Sequence, residues 1–174
     1  MSVSEKERAL MENIRHRGSL LVAFSGGVDS TLLAVLAREV LKDKCHCVLL
    51  DSPVVPRSAV EQARQLAHEL RLPLDIIPVP HMDHDEFCKN PENRCYHCKK
   101  ISAGYLKRRA TELDLAHIAD GMNASDTGEH RPGLRASDEE GILHPFIDIG
   151  CTKQDIREIA RARGLPVWQK PSAA

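Results

Sequence analysis

Aromatic residues make up only 3% of the 174-residue chain. A core of packed rings is therefore excluded, and the interior must be aliphatic, carried by Leu, Ile, Val and Ala. Neither sign of charge is in excess. The formal balance of −1 gives no global attraction to nucleic acid or an anionic membrane surface, although Lys99-Lys100 with Lys107-Arg108-Arg109 could form a local basic patch. No apolar run approaches the ~20 residues that a spanning helix needs. The start, Met1-Ser2-Val3-Ser4-Glu5-Lys6-Glu7, lacks the basic and apolar regions of a secretory signal, so the expected location is the cytoplasm. Outside a secretory context, six cysteines point to reduced thiols or metal ligands rather than disulfides. No repeat or low-complexity tract is present, and the length suits one domain with a good core.

One further absence is local. The apolar run Leu20 to Phe24 reads as a buried strand and leads into Ser25-Gly26-Gly27-Val28-Asp29-Ser30-Thr31. Apolar residues at helical spacing follow, from Leu32 to Ala37. Strand, two glycines, hydroxyls and a helix N-terminus together offer a phosphate a nest of backbone N–H groups. Gly26 and Gly27 tolerate positive φ and close approach of an anion, while Ser25, Ser30 and Thr31 add hydroxyls. A Walker loop would place a lysine directly after its last glycine, to hold β and γ phosphates. Here Val28 and Asp29 stand there instead. An acid beside a phosphate nest makes sense where it helps hold a divalent cation bridging a polyphosphate.

The competing reading is a plain glycine turn between strand and helix. Five fixed residues in SGG-x-DS recur by chance at roughly one position in a million at average composition, so the turn alone does not account for the string. It matches the pyrophosphate-loop motif of the ATP pyrophosphatase superfamily.

The rest of the chain alternates strands with helices. Ser4-x-x-Glu7 fits a capping box for a helix to about Arg15, closed by Gly18. Cys45 to Leu50 reads as a second strand ending at Asp51-Ser52. Pro56 suits the first turn of a helix to about Leu70. Leu74 to Val79 reads as a third strand, with Pro78 suggesting an edge position. Pro80 to Cys98 reads as irregular, Lys99 to Leu113 as a helix and Ala116 to Ala119 as a fourth strand. Met122 to Gly141 reads as a long polar connection, and Ile142 to Phe146 as a short fifth strand. Thr152-x-x-Asp155 caps a last helix stopped by Gly164, on which Lys153 and Arg157 read as solvated. The fold class expected is α/β, a Rossmann-like doubly wound sheet of five mainly parallel strands with helices on both faces. Ligands bind such sheets beyond the strands' carboxyl ends, at the switch point. One cleft there would collect Ser25 to Ser30, Asp51-Ser52 and Gly121 to Asp126.

Several of these residues admit two readings. Asp51 could take the ribose or adenine of a nucleotide, or cap an ordinary strand end. Cys88, Cys95 and Cys98, with His81, His84 and His97 nearby, could bind zinc or an iron–sulfur cluster, act as sulfur-carrying thiols, or simply pack. In Gly121-Met122-Asn123-Ala124-Ser125-Asp126 the glycine permits close approach, Asn123 offers an amide and Asp126 a carboxylate. Arg131 and Arg135 offer guanidiniums to carboxylate or phosphate. As bare patterns these last segments are better explained by a solvated loop.

Taken in order, SGGVDS, then Asn90-Pro91-Glu92-Asn93-Arg94-Cys95-Tyr96-His97-Cys98-Lys99, then Asp120-Gly121-x-Asn123-x-x-Asp126 and Arg131-Pro132-Gly133-Leu134, resemble the LarE-type ATP-dependent sulfur transferases. The likeness covers nearly the whole chain. It implies adenylation of a carboxylate of a pyridinium dicarboxylate mononucleotide with release of pyrophosphate, then replacement of AMP by sulfur, toward a nickel-pincer nucleotide. On this resemblance ATP and Mg²⁺ are the cofactors, with iron–sulfur or zinc as a further candidate at Cys95 and Cys98. Ser25, Gly26, Gly27, Val28, Asp29, Ser30, Asp51, Ser52 and Gly121 would hold ATP, with Asp29 and Ser30 catalytic and Asp29 on the metal. Arg94, Asn123, Asp126 and Arg131 would hold the second substrate. Residues 1–170 would form the ATP-binding domain. The family's sulfur-carrying cysteine follows a Pro-Ser-x-Ala segment, so 171–174 would open a further C-terminal region, and the full-length protein would be a homo-oligomer. The partners implied are ATP and a small nucleotide, not nucleic acid or membrane. The alternatives are a tRNA-thiolating enzyme of the same superfamily, which would want a broader basic surface, and a non-catalytic nucleotide- or zinc-binding module.

Overall fold

The computed structural model of the chain describes residues 1–80, 94–126 and 132–170. The first helix, α1 (Val3–Arg17), starts earlier than the Ser4 box suggests. Ser2 is the cap, its hydroxyl accepting from the Glu5 N–H at 3.2 Å. Ser2-x-x-Glu5 carries the same capping pattern two residues upstream, and the longer helix gains a turn. Gly18, at φ 80°, ends it. Leu10 and Ile14, four residues apart, are fully buried.

Four parallel strands follow: β1 (Leu20–Ala23), β2 (Cys45–Asp51), β3 (Leu74–Pro78) and β4 (Ile118–Ala119), in the order β3-β2-β1-β4. Pro78 thus lies on an edge strand, where its missing N–H disturbs no second ladder. The expected fifth strand reduces to one parallel bridge, Ala119 to Leu143. Pro145 explains why: it has no N–H to extend a ladder, and its fixed φ suits a helix start. The short α6 (Pro145–Ile149) begins there instead. Among the described residues the sheet therefore has four strands, not five.

Helices cover both faces, as doubly wound topology requires. Alternation along the strands sorts the core. Leu20, Val22, Cys47 and Leu49 face one way, against α1, α2 (Val28–Leu41), α3 (Arg57–Glu69) and α7 (Lys153–Ala162). Leu21, Val48 and Ile118 face the other, against Ala103, Leu106 and Ala110 of α4 (Arg94–Glu112). α2 is central, burying nine of its fourteen residues. The polar stretch before Gly141 is not one long connection. A 3₁₀ turn spans Ala124–Asp126, and α5 (Pro132–Glu139) packs on α4.

The last helix has a true capping box. Thr152 accepts from the Asp155 N–H at 3.2 Å, and Asp155 accepts from the Thr152 N–H at 3.0 Å. Ile156, Ile159 and Ala160 bury its apolar stripe, each isoleucine contributing about 1.5–3 kcal/mol by removal from water. That burial fixes where the first turn of α7, and so Lys153, is delivered. Among the described residues no helix is long and apolar enough to cross a membrane.

Candidate active site at the carboxyl ends of β1 and β4

The sheet reverses its winding between β1 and β4. From β1 the chain crosses to β2 through α2 on one face, whereas β3 reaches β4 through α4 on the other. A crevice opens at such a point, beyond the strand ends. Here it is a cleft of about 340 Å³. Ala23 to Ser25, Asp29 and Ser30 form one wall, Asp120 to Met122 and Asp126 another, and Lys99, Ser102, Ala103 and Leu106 of α4 a third.

The loop is stiffened from within. The Ser25 N–H donates to Ser30 Oγ at 3.0 Å, the two hydroxyls lie 3.1 Å apart, and the Gly27 N–H donates to Ser25 Oγ at 3.3 Å. Gly26 has φ 84°, and a Cβ there would meet Ala63 Cβ at 3.0 Å. Its carbonyl accepts from Lys170 Nζ at 3.3 Å. Val28 is buried in the core. Thr31 is fully buried too, its Oγ1 without a partner among the described residues. It sits behind the cleft and offers no hydroxyl to it.

Gly121 is needed for close packing of the two strand ends. A Cβ there would meet the Ser30 backbone nitrogen at 2.8 Å and Asp29 at 3.0 Å. The two polar segments therefore touch, and their side chains interlock. Asn123 Nδ2 donates to Asp29 Oδ2 at 3.3 Å, Asn123 Oδ1 accepts from the Ser125 N–H at 2.8 Å, and Asp126 Oδ2 accepts from the Asn123 N–H at 2.9 Å. Asn123 is almost wholly buried and its amide is spent inside the protein. It backs the site rather than facing it.

The sequence assigns Lys153 to a solvated helix face. The structure instead sets its Nζ 2.9 Å from both oxygens of Asp29, across 124 residues of chain. Both side chains are about one-fifth exposed, at 22% and 23%. Burial still pushes the Asp29 carboxyl above its ordinary range, because the Lys153 and Asn123 contacts only partly offset it and the Asp126 charge adds to the rise. A second buried group also escaped sequence reading. His144, just before Pro145, lies with Nδ1 2.7 Å from Asp120 Oδ1 and Nε2 2.9 Å from Asp138 Oδ1. Burial alone would lower its pKa, but the two carboxylates outweigh that and hold it above the ordinary value. Asp120 also accepts from the Met122 N–H at 3.1 Å, fixing the turn into the 121–126 segment.

Asp51 and Ser52 end the strand beside β1, as expected from the pairing, but do not line the cleft. Asp51 forms a two-armed pair with Arg57, which holds its carboxyl below the usual range, and Ser52 is buried. Arg131 and Cys88 lie outside the described residues, as do the side chains of Arg94, Cys95 and Cys98. Among the described residues no group of three or more acidic, cysteine or histidine side chains could hold a metal. For Mg²⁺ bound together with a polyphosphate the donors do fit. Asp29 and Asp126 are hard oxygen ligands on the same cleft, and a magnesium ion usually takes one or two carboxylates plus phosphate oxygens.

A strand–SGG-x-DS–helix loop at the switch point of a parallel sheet, carrying an acid where a Walker loop has lysine, is the site of an ATP pyrophosphatase (PP-loop) domain. The chain belongs to the NAD synthase family, whose model matches residues 3–125. It is 34% identical over 166 residues to the uncharacterized protein slr1717 of Synechocystis sp., covering 93% of this chain and 62% of that protein. It is 29% identical over 170 residues to the pyridinium-3,5-bisthiocarboxylic acid mononucleotide synthase of Lactiplantibacillus plantarum, covering 97% and 62%. The chain thus spans about three-fifths of the length of these relatives. Its fold is that of the NH3-dependent NAD synthetase from Campylobacter jejuni, with TM-score 0.76, 18% identity and coverage of 100% and 80%. It is equally that of NMN synthetase from Francisella tularensis, with TM-score 0.79, 15% identity and coverage of 99% and 76%.

Proposed function

We propose that this chain is the nucleotide-activating domain of an ATP-dependent sulfur transferase acting on a carboxylate of a pyridinium dicarboxylate mononucleotide. The observation that carries the reading is the loop from Ser25 to Ser30, set at the switch point with Asp29 lining the cleft where a Walker loop would bring a lysine. Such a loop suits a leaving pyrophosphate more than a transferred γ-phosphate. The likeness to a pyridinium-3,5-bisthiocarboxylic acid mononucleotide synthase over 97% of the chain supports the choice of substrate.

In this reading residues 1–170 bind ATP with its β and γ phosphates over the Gly26–Gly27 turn and the first turn of α2. A substrate carboxylate oxygen attacks the α-phosphorus, the α–β bridge breaks, and pyrophosphate leaves. Backbone N–H groups of the loop and the Ser25 and Ser30 hydroxyls stabilise the charge that develops on it. Asp29 and Asp126 would hold Mg²⁺, which when bound neutralises polyphosphate oxygens. Lys153 then exchanges Asp29 for a phosphate oxygen, standing in for the missing Walker lysine. A sulfur nucleophile attacks the acyl carbon of the adenylate and AMP leaves. Cys95 and Cys98 remain candidates for sulfur or cluster binding.

The test incubates full-length protein with Mg·ATP and the pyridinium-3,5-dicarboxylic acid mononucleotide. Pyrophosphate release and an acyl-adenylate are expected, with Asp29→Ala weakening Mg·ATP binding at least tenfold. Absence of both products overturns the reaction, and unchanged affinity removes Asp29 from the site. The family match to NAD synthase favours one competitor, amide formation. Ammonia-dependent but sulfide-independent consumption of the adenylate would select it.

A further inference from the structure

The helix that delivers Lys153 carries an unusual charge pattern on its outer side. Lys153, Arg157 and Arg161 lie four residues apart, so they form one ridge along α7. Like charges at that spacing oppose helix formation. The protein answers such charges elsewhere: Arg163, off the ridge, is held by Glu7 and Glu39 at 2.7 and 2.6 Å. Neither Arg157 nor Arg161 pairs with a carboxylate among the described residues. Arg157 Nε is buried without a partner, and its Nη2 lies 3.5 Å from the Lys170 carbonyl. Among the described residues Glu158 is the single acid on the groove that the ridge borders, and Gln154 donates to it at 3.3 Å.

That groove has a volume of about 510 Å³ and is walled by Trp168. The Arg161 guanidinium stands 5.1 Å from the centre of the Trp168 ring. At its inner end is Lys153, whose ammonium already touches Asp29 of the phosphate loop. Eight residues at 1.5 Å each carry the ridge about 12 Å outward from there, a length of the order of one mononucleotide.

We propose that this groove is the site of the second substrate, an anionic pyridine mononucleotide. Arg157 and Arg161 take its phosphate, Trp168 gives apolar surface to its ribose and ring, and Lys153 marks where its carboxylate meets the nucleotide in the cleft. The assignment rests on the adenylation reading for the identity of the ligand, but not for the groove's preference for a phosphate. Two guanidiniums without a carboxylate partner among the described residues supply the forked donors that phosphate geometry favours.

Trp168 is the single tryptophan in these 174 residues, so its emission reports binding directly. The chain is titrated with the pyridinium-3,5-dicarboxylic acid mononucleotide and with the nucleoside lacking its phosphate. A saturable change with the mononucleotide is expected, and weaker binding of the nucleoside. Arg157→Gln with Arg161→Gln should raise Kd for the mononucleotide at least tenfold more than for Mg·ATP, and leave nucleoside binding unaltered. The Lys pair at both positions should restore part of the loss. Equal binding of mononucleotide and nucleoside, or a Kd insensitive to the arginines, overturns the site. Arginine-dependent binding without pyrophosphate release overturns the adenylation reading instead and keeps the groove. Pyrophosphate release with an arginine-independent KM does the reverse.

Discussion

Replacing Lys153 by Met keeps the aliphatic stem and removes the charge opposite Asp29. Two contacts of 2.9 Å are lost, leaving Asp29 with Asn123 at 3.3 Å and with Asp126 repelling it. Breaking a fully buried pair costs about 3–5 kcal/mol, whereas an exposed pair contributes about 0.2–1 kcal/mol. With both side chains roughly four-fifths covered, the deficit at neutral pH should be about 2–3 kcal/mol. For a domain of this size that lowers Tm by about 4–12 °C. The pH dependence has a definite sign. A carboxyl whose folded-state pKa is raised contributes stability below its unfolded pKa and loses it as pH rises through the folded value. Without Lys153 the folded value moves up further, so the variant's deficit should be largest near pH 7–8 and shrink toward pH 4. Asp29→Asn in the same chain removes the uncompensated charge and should recover most of the loss. Thermal and urea unfolding of wild type, Lys153→Met, Asp29→Asn and the double variant from pH 4 to 8 decide it. A pH-independent deficit, or a double variant no more stable than Lys153→Met, would refute an ion pair as the link between α7 and the loop.

Two further outcomes follow from the same geometry. Gly121→Ala drives a methyl group into backbone atoms of Ser30 and Asp29, so Kd for Mg·ATP measured by calorimetry should rise at least tenfold, about 1.4 kcal/mol; unchanged affinity would mean the two segments do not form one site. His144, with its folded-state pKa raised, contributes stability that is complete below about 6.5 and fades as pH rises through the folded value. His144→Gln should flatten the stability–pH curve above pH 6.5, and an unaltered slope in chemical denaturation would count against the Asp120–His144–Asp138 bridge.

Local signals in the chain carried most of the fold. The near-continuous apolar runs Leu20 to Ala23 and Cys45 to Leu50, helix stops at Gly18 and Gly164, and the Thr152–Asp155 box are all settled within a few residues, and each is visible as pattern. Where two local signals competed, the pattern misled. Ser2 and Ser4 both offered a capping box, and Ile142 to Phe146 looked like a strand because its apolar residues hid the effect of Pro145. The site was legible where chemistry is contiguous, in Ser25 to Ser30 and Gly121 to Asp126. It was not legible where partners are distant. Lys153 is polar and sits on an amphipathic helix, so helical periodicity sends it to solvent. Only the docking of α7 beside α2 turns it inward. Asp51 differs in the opposite sense, since its carboxylate is paired with a nearby arginine, Arg57, that the strand-end pattern does not reveal.

The separation of 124 positions along the chain from Asp29 to Lys153 also sets an order of events during synthesis. The phosphate loop leaves the ribosome early, with its acid solvated and its partner not yet made. At typical elongation rates about 6–25 s separate the two residues. Throughout that interval no partial chain can hold Asp29 as the finished one does, and the Gly26 carbonyl waits longer still, for Lys170. The loop's contacts are therefore completed well after its motif is translated. A truncated or stalled product carries the sequence signature without the Lys153 and Lys170 contacts that hold the loop in the finished chain.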